Sequence, residues 1–257
     1  MKHFYLTTSF LLLSLLAFSQ TIQWSRTFVY GDIMVQFKDL KADSSNNIYF
    51  SGNYAKTNYP NPILRGWFIT KFDVFGNTLW TDTTNEQYVI SNPMAFSDDH
   101  IFTIHESLYK FNKMTGDTVW HKSIPGQGIT YLNNALYLGH LNTLYKYDSV
   151  CNLQWNITVP MYAYGEMQIN NAQGNLYVRS GSGNASYNPC ALHKYDTFGN
   201  RLWTTPSGMG YVWNMITDEI GNSYLIGQGG GSMVKRINSD GTVAWAITRD
   251  SLAWYNA

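Results

Sequence analysis

Two histidines come nearest, by type and position, to a metal-binding pair. His105 and His140 each end a short aromatic and β-branched stretch, at equivalent points of two successive repeats. Zinc sites need three or four protein ligands, and no third ligand stands near either histidine in the sequence. Ordinary surface histidines are the simpler interpretation, so the sequence predicts no metal site.

Motifs for covalent or hydrolytic chemistry are missing from the sequence. It contains no Gly-x-Ser-x-Gly elbow, no His-Glu-x-x-His and no glycine-rich phosphate loop between a strand and a helix. A carboxylate pair for glycoside chemistry could still assemble from distant segments, although acidic residues are sparse in the connecting segments. We therefore predict no catalytic residue and no cofactor.

The two cysteines belong to different repeats and to opposite ends of their units. Cys151 lies in a turn and Cys190 opens a strand. A disulfide needs Cα atoms within about 7 Å, whereas a six-residue strand spans about 20 Å. We expect two free thiols.

Tyrosines in two long connecting segments are the best candidates for ligand contacts. Tyr54 and Tyr59 belong to a predicted loop at 53–65, and Tyr187 to another at 180–189. Loops that vary in length on a constant scaffold are where binding groups tend to lie. An ordinary solvated loop remains the alternative. With His105 and His140, these tyrosines form the predicted ligand-binding set.

These candidates are positioned by a repeated strand-turn-strand unit. In residues 108–120, Tyr109 and Phe111 alternate with polar neighbours, an Asn-x-x-Thr-Gly run supplies a turn, and Trp120 lies in the next strand. The unit occurs five times, and a turn rich in Asn, Asp and Gly precedes each copy. Its tryptophans are Trp80, Trp120, Trp155, Trp203 and Trp245.

Each repeat contains four short antiparallel strands, A to D. Tandem four-stranded sheets need neighbours to cover their faces, and radial stacking provides them. We predict an all-β fold, a β-propeller of about five blades within residues 20–257, with an extra N-terminal strand. The predicted blades are 33–84, 88–124, 127–159, 163–206 and 210–250. Strand direction places A–B and C–D turns on one face, and B–C and D–A connections on the other.

The strand C to strand D stretches resemble the repeats of quinoprotein (PQQ-like) propellers. The Asp-x-x-Gly-Asn-x-Tyr-x-x-Gly pattern, clearest at 218–227, resembles secreted bacterial propellers of the SBBP type. The resemblance covers nearly all of residues 20–250 and implies that the five tryptophans pack between blades. The vicinal cysteine pair of quinoprotein dehydrogenases is missing, which argues against PQQ binding.

The two ends of the repeat array do not balance. Residues 22–28 repeat only the strand D pattern, while residues 251–257 suffice for one strand A at most. We interpret this as a ring of six or seven blades that stops partway, with a five-bladed ring plus an edge strand as the alternative. An open ring exposes an unpaired edge and would favour self-association.

The N-terminus indicates an exported protein. Lys2 and His3 precede an apolar run at 10–18 that ends in a small-x-small cleavage pattern, so residues 1–19 read as a signal peptide. No cysteine follows the run, which disfavours a lipid anchor, and no stretch is long enough to span a membrane. The 17 basic and 17 acidic residues balance, so we expect no nucleic-acid partner.

Two functional hypotheses follow. The first is a secreted or cell-surface binding module without enzymatic activity, which recognises a protein or a glycan through its B–C and D–A face. Tyrosine and asparagine suit that role, since aromatic rings stack on sugars and amides bind hydroxyls. The second is an enzyme, either a hydrolase or lyase acting on polysaccharides or a PQQ-type oxidoreductase.

Overall fold

The structure is a computed structural model that describes residues 33–58, 61–84, 93–104, 107–160, 167–181, 190–228 and 232–248. These residues form five four-stranded antiparallel sheets, arranged as a five-bladed β-propeller, and they contain no helix. Each sheet is built from four consecutive strands in sequence order. The predicted all-β propeller of five blades is therefore confirmed.

The strands are short and follow one another closely within each blade. Blade 1 contains β1 (Ile33–Ala42), β2 (Ile48–Asn58), β3 (Asn61–Phe72) and β4 (Thr78–Thr84), and blade 2 contains β5 (Met94–Phe96), β6 (His100–Ile104), β7 (Leu108–Asn112) and β8 (Thr118–Lys122). Blade 3 contains β9 (Gly128–Leu132), β10 (Ala135–His140), β11 (Thr143–Asp148) and β12 (Leu153–Thr158), and blade 4 contains β13 (Gln168–Ala172), β14 (Asn175–Ser180), β15 (Ala191–Tyr195) and β16 (Arg201–Pro206). Blade 5 contains β17 (Tyr211–Thr217), β18 (Ser223–Gln228), β19 (Ser232–Ile237) and β20 (Val243–Thr248).

Asx turns explain where strand C ends and strand D begins. In blade 1 the Asp73 carboxylate accepts hydrogen bonds from the backbone N–H groups of Phe75 (2.9 Å) and Asn77 (2.8 Å). The same turn recurs in blades 3 and 4. In blade 3 the N–H of Asn152, ahead of other contacts, lowers the pKa of Asp148. These aspartates satisfy turn N–H groups, as their side-chain chemistry favours, and need no calcium ion to do so.

The C–D turns also place one residue in the left-handed region of φ. In four blades this residue is a glycine, and in blade 3 it is Cys151, with φ of 72°. Glycine adopts this conformation without the steric cost of a Cβ atom. The glycines are Gly76, Gly116, Gly199 and Gly241.

The core lies between the blades rather than within them. Four clusters of buried hydrophobic residues fill the junctions between successive blades, from blades 1 and 2 to blades 4 and 5. At the first junction, Tyr49 and Trp67 of blade 1 meet Met94 and Phe111 of blade 2. Strand alternation makes this arrangement possible, because each sheet presents one set of side chains to each neighbour.

One expected loop is wrong. Residues 53–65 were expected to connect strands B and C, but β2 and β3 pair through most of this range, from Asn53 with Trp67 to Asn58 with Asn61. The hairpin therefore extends beyond the other blades. Backbone pairing across the two strands satisfies N–H and C=O groups that a long loop would leave to water. The predicted terminal strand segments, 22–28 and 251–257, lie outside the described residues.

Candidate functional site

A central cavity of about 890 Å³ is lined by the first strand of every blade, β1, β5, β9, β13 and β17. Its volume falls in the range of ligand pockets, roughly 300–1,000 Å³. Pro93 and Gln127 also line the cavity, and each stands directly before the first strand of its blade. The cavity follows the first strands along their length, from Pro93 and Gln127, where D–A connections enter, to Lys41 and Thr217 beside the A–B turns.

Amide side chains from β13 bridge the neighbouring blades along this cavity. Gln168 Nε2 donates to Asn214 Oδ1 of blade 5 at 3.2 Å. Asn170 Nδ2 donates to the Met215 carbonyl, also of blade 5, at 3.1 Å. In the opposite direction, Asn171 Nδ2 donates to the Tyr131 carbonyl of blade 3 at 3.1 Å. The wall between blades 3 and 5 is therefore a hydrogen-bonded set of uncharged amides.

Asp39 is the one carboxylate among the described residues that line this cavity. Its side chain accepts hydrogen bonds from the backbone N–H groups of Met94 (2.8 Å) and Leu40 (2.9 Å). Burial raises the pKa of Asp39, although Lys41 and these hydrogen bonds oppose the change. Glycoside hydrolysis ordinarily requires two carboxyl groups across the scissile bond. Asp39 acts here as a link between blades 1 and 2.

Aromatic side chains complete the cavity wall at blades 1 and 5. Phe37 and Trp213 both line the cavity, and each is 49% exposed. Phe37 packs edge-on against Phe50 and Phe68, with ring centroids 5.6 and 5.9 Å apart. A cavity with half-exposed rings on one side and amides on another can contact both the apolar and the hydroxyl groups of a ligand.

The strand D tryptophans lie against the C–D turn of the following blade. A Cβ atom placed on Gly116 would come within 2.7 Å of the Trp80 ring, and one on Gly241 within 2.9 Å of the Trp203 ring. Trp203 Nε1 also donates to the Ser239 carbonyl at 3.1 Å. Trp155 lies beside Gly199 in the same way, and Trp120 packs on the cluster that contains Cys151. Trp245 of blade 5 is 40% exposed.

The predicted ligand-binding residues fall partly within the described structure. Tyr54 lies in the paired part of β2, half-buried, and burial raises its pKa. His140 is the last residue of β10, half-buried, and its buried Nδ1 has no partner among the described residues. The two belong to blades 1 and 3, and neither lines the central cavity. Tyr59, His105 and Tyr187 lie outside the described residues.

A buried Ser-His-Thr network in blade 4 was missed at the level of sequence. Ser180 Oγ lies 2.6 Å from His193 Nε2, and His193 Nδ1 lies 2.9 Å from Thr204 Oγ1. Ser180 also donates to the Pro160 carbonyl at 3.0 Å. His193 is only 1% exposed, and burial, with a smaller contribution from Arg201, lowers its pKa to about 4.

This network ties strands together rather than activating a nucleophile. If the Ser180 hydroxyl donates to Pro160, His193 must donate through Nε2 and accept from Thr204, which satisfies a neutral imidazole completely. A nucleophilic serine needs access to substrate, and Ser180 is buried. The pattern Ser-x₁₂-His carries no recognisable motif, so only the pairing of β14, β15 and β16 brings the three side chains together.

A second cavity, of about 820 Å³, lies at the opposite face among the A–B and C–D turns of blades 1 to 3. It is more charged, since Asp98, Asp99 and Lys113 line it. Lys113 Nζ lies 5.3 Å from the centroid of the Phe96 ring, which gives a cation–π contact. Burial, followed by the charge of Lys110, lowers the pKa of His100 in this wall.

Across the described part of the chain, no group of three or more His, Cys, Asp or Glu side chains is arranged to hold a metal ion. Cys151 and Cys190 are both buried and form no disulfide bond. None of the described residues forms a helix long and apolar enough to cross a membrane.

Comparison with solved structures supports the fold. The chain resembles a protein of unknown function from Bacteroides caccae, with 13% identity and a TM-score of 0.55 over 90% of this chain and 87% of the other. It also resembles a chain from the mitotic checkpoint complex, with 10% identity and a TM-score of 0.59 over 90% and 89% of the two chains. No protein-family model and no curated protein sequence matches. At such low identity, these likenesses concern the fold alone.

Proposed function

We propose that this chain is an exported binding module without enzymatic activity, which recognises a protein or a glycan through the B–C and D–A face. The observation that supports the proposal most directly is the central cavity, whose walls combine uncharged amides with the half-exposed rings of Phe37 and Trp213. Binding surfaces use such combinations, because aromatic rings supply contact area and amides supply direction.

The arrangement of polar groups favours binding over catalysis. Asp39, the carboxylate in the cavity wall, is occupied by two backbone N–H groups. The Ser180 and His193 pair is buried and satisfied within blade 4. Neither group is presented to a ligand as a nucleophile or a general base would need to be.

The repeat family and the localisation of the protein form part of the same proposal. We assign the repeats to the PQQ-like and SBBP-type propellers, an assignment supported by the tryptophans that pack on left-handed turn residues. We assign residues 1–19 to a signal peptide that is removed on export to the medium or the cell surface. The intact mass of the native exported protein tests this assignment, since removal predicts a chain that begins at Gln20.

Binding and turnover can be separated in one experiment. The purified chain is applied to a glycan array and then incubated with a panel of polysaccharides, while new reducing ends and unsaturated products are measured. Binding without new ends or unsaturated products is the expected result. Product formation that depends on the protein would instead support the hydrolase or lyase alternative and refute the proposal.

A further inference from the structure

The innermost strands of blades 1 and 5 share an irregularity that turns side chains toward the cavity. In β17 the register passes from Val212, paired with Gly227, to Asn214, paired with Ile226, so Trp213 is left over as a bulged residue. In β1 the register likewise shifts between Phe37, paired with Gly52, and Asp39, so Lys38, which also lines the cavity, is left over. A β-bulge redirects the side chain of its extra residue and increases the local twist.

Glycines on the second strands allow these bulges. A Cβ atom on Gly227 would lie 2.0 Å from the Tyr211 carbonyl oxygen, and one on Gly52 would lie 2.3 Å from the Gln36 carbonyl oxygen. Both contacts are far below an ordinary van der Waals distance, so the two strands can approach this closely only because these positions lack side chains. The bulged geometry is therefore built into both blades.

Two neighbouring apolar residues of β17 have different surroundings. Val212 is 1% exposed and packs into the cluster between blades 4 and 5, whereas Trp213 is 49% exposed and lines the cavity. Burying an indole would contribute to stability, so an indole presented to a cavity indicates a ring available for contact with a ligand.

In the part of the cavity wall that blade 4 forms, one side-chain amide oxygen has no hydrogen-bond donor. Gln168 Oε1 is buried and has no hydrogen-bond partner among the described residues, although its Nε2 is bound to Asn214. Asn214 Oδ1 accepts a second hydrogen bond from the Met215 N–H at 2.8 Å, which holds that amide in place. A buried acceptor without a donor costs free energy, and Gln168 lines the cavity, so turning its amide toward a ligand hydroxyl would remove that cost.

We infer that the central cavity binds a neutral oligosaccharide, with Trp213 stacking on a sugar ring and Gln168 Oε1 accepting a hydrogen bond from a sugar hydroxyl. The inference rests on the proposed binding function and names its ligand class. A sugar has an apolar ring face that can stack on Trp213 and hydroxyl donors that can bind the Gln168 amide. The charged residues of the wall are Lys38, Asp39 and Lys41, and Asp39 already accepts two backbone hydrogen bonds.

The test uses the full chain and a panel of neutral oligosaccharides, namely β-gluco-, manno-, xylo- and galacto-hexaoses, in isothermal titration calorimetry. Trp213→Ala should weaken binding by about tenfold or more, equal to at least about 1.4 kcal/mol. Trp245→Ala is the matched control, since it removes a similarly exposed tryptophan of the same blade outside the cavity, and it should change affinity less than about twofold. Gln168→Leu should also weaken binding, while denaturation midpoints verify that each variant is folded.

The outcomes separate this inference from the proposed function. Oligosaccharide binding that survives Trp213→Ala but is lost in Tyr54→Ala would overturn the cavity as the site and leave the binding module in place. Binding to none of the four sugars would overturn the ligand class. Cleavage of a bound sugar would refute the proposed function itself.

Discussion

The packing of tryptophans on turn glycines can be tested by adding a single methyl group. Gly116→Ala introduces a Cβ atom at a residue with φ of 82°, 2.7 Å from Trp80 Cδ2 and 2.8 Å from Cε3. Two costs follow, since an L-residue is strained in the left-handed region and the new atom overlaps a large, packed ring. We expect a large loss of stability for so small a change.

A matched variant separates these two costs. Gly174 in the A–B turn of blade 4 has φ of 72°, and a Cβ atom placed on it would meet nothing within 4 Å. Gly174→Ala should therefore carry the backbone cost alone, about 1–2 kcal/mol. Gly116→Ala should carry the same cost and about 1–3 kcal/mol more from overpacking.

The measurement is the free energy of unfolding from urea denaturation of the wild type and both variants, with equal slopes as the check that the variants unfold from a comparable state. Gly116→Ala should lose about 2–5 kcal/mol. Equal losses in the two variants would refute the argument that the tryptophan ring lies tightly on the turn. Blade 3, where Cys151 holds the same position at φ of 72°, shows that the backbone shape alone does not require glycine.

Further predictions concern the other junctions, the buried histidine and the thiols. Trp203→Ala should lose about 3–5 kcal/mol of unfolding free energy, and Trp245→Ala clearly less because Trp245 is 40% exposed; equal losses would show that the fifth blade is covered in solution. His193 has a pKa of about 4 in the folded chain against an ordinary 6.5, so the unfolded chain binds a proton that the folded chain does not between these values. Stability should therefore fall by about 3 kcal/mol as the pH drops from about 6.5 to about 4, and His193→Gln should reduce that slope; an unchanged slope would contradict the assignment. A thiol reagent should label neither Cys151 nor Cys190 in the native protein and both in urea, and rapid native labelling would show that these residues are accessible.

Local chemistry accounts for how much of the fold the sequence predicts. In blade 2 the strand-turn-strand unit predicted from residues 108–120 is present as the strands Leu108–Asn112 and Thr118–Lys122. Aromatic alternation and Asx turns act over a few residues, so their effect can be read from neighbouring positions. The prediction of a loop at 53–65 was wrong because it relied on local turn residues alone. Backbone pairing between β2 and β3 continues through most of this range.

The candidate site depends on contacts between blades, which local patterns do not contain. Gln168 and Asn214 are 46 positions apart, and Asn170 meets the Met215 carbonyl only because blades 4 and 5 pack side by side. The orientation of Trp213 depends on a register shift between β17 and β18, and a shift of one residue would move it to the opposite face. Sequence alone therefore determined the repeat and its C–D turns, because these follow from short-range backbone chemistry, and it left the number of blades in the ring open. Only the tertiary structure decided which amides and rings meet around the cavity, because that depends on how whole sheets pack against one another.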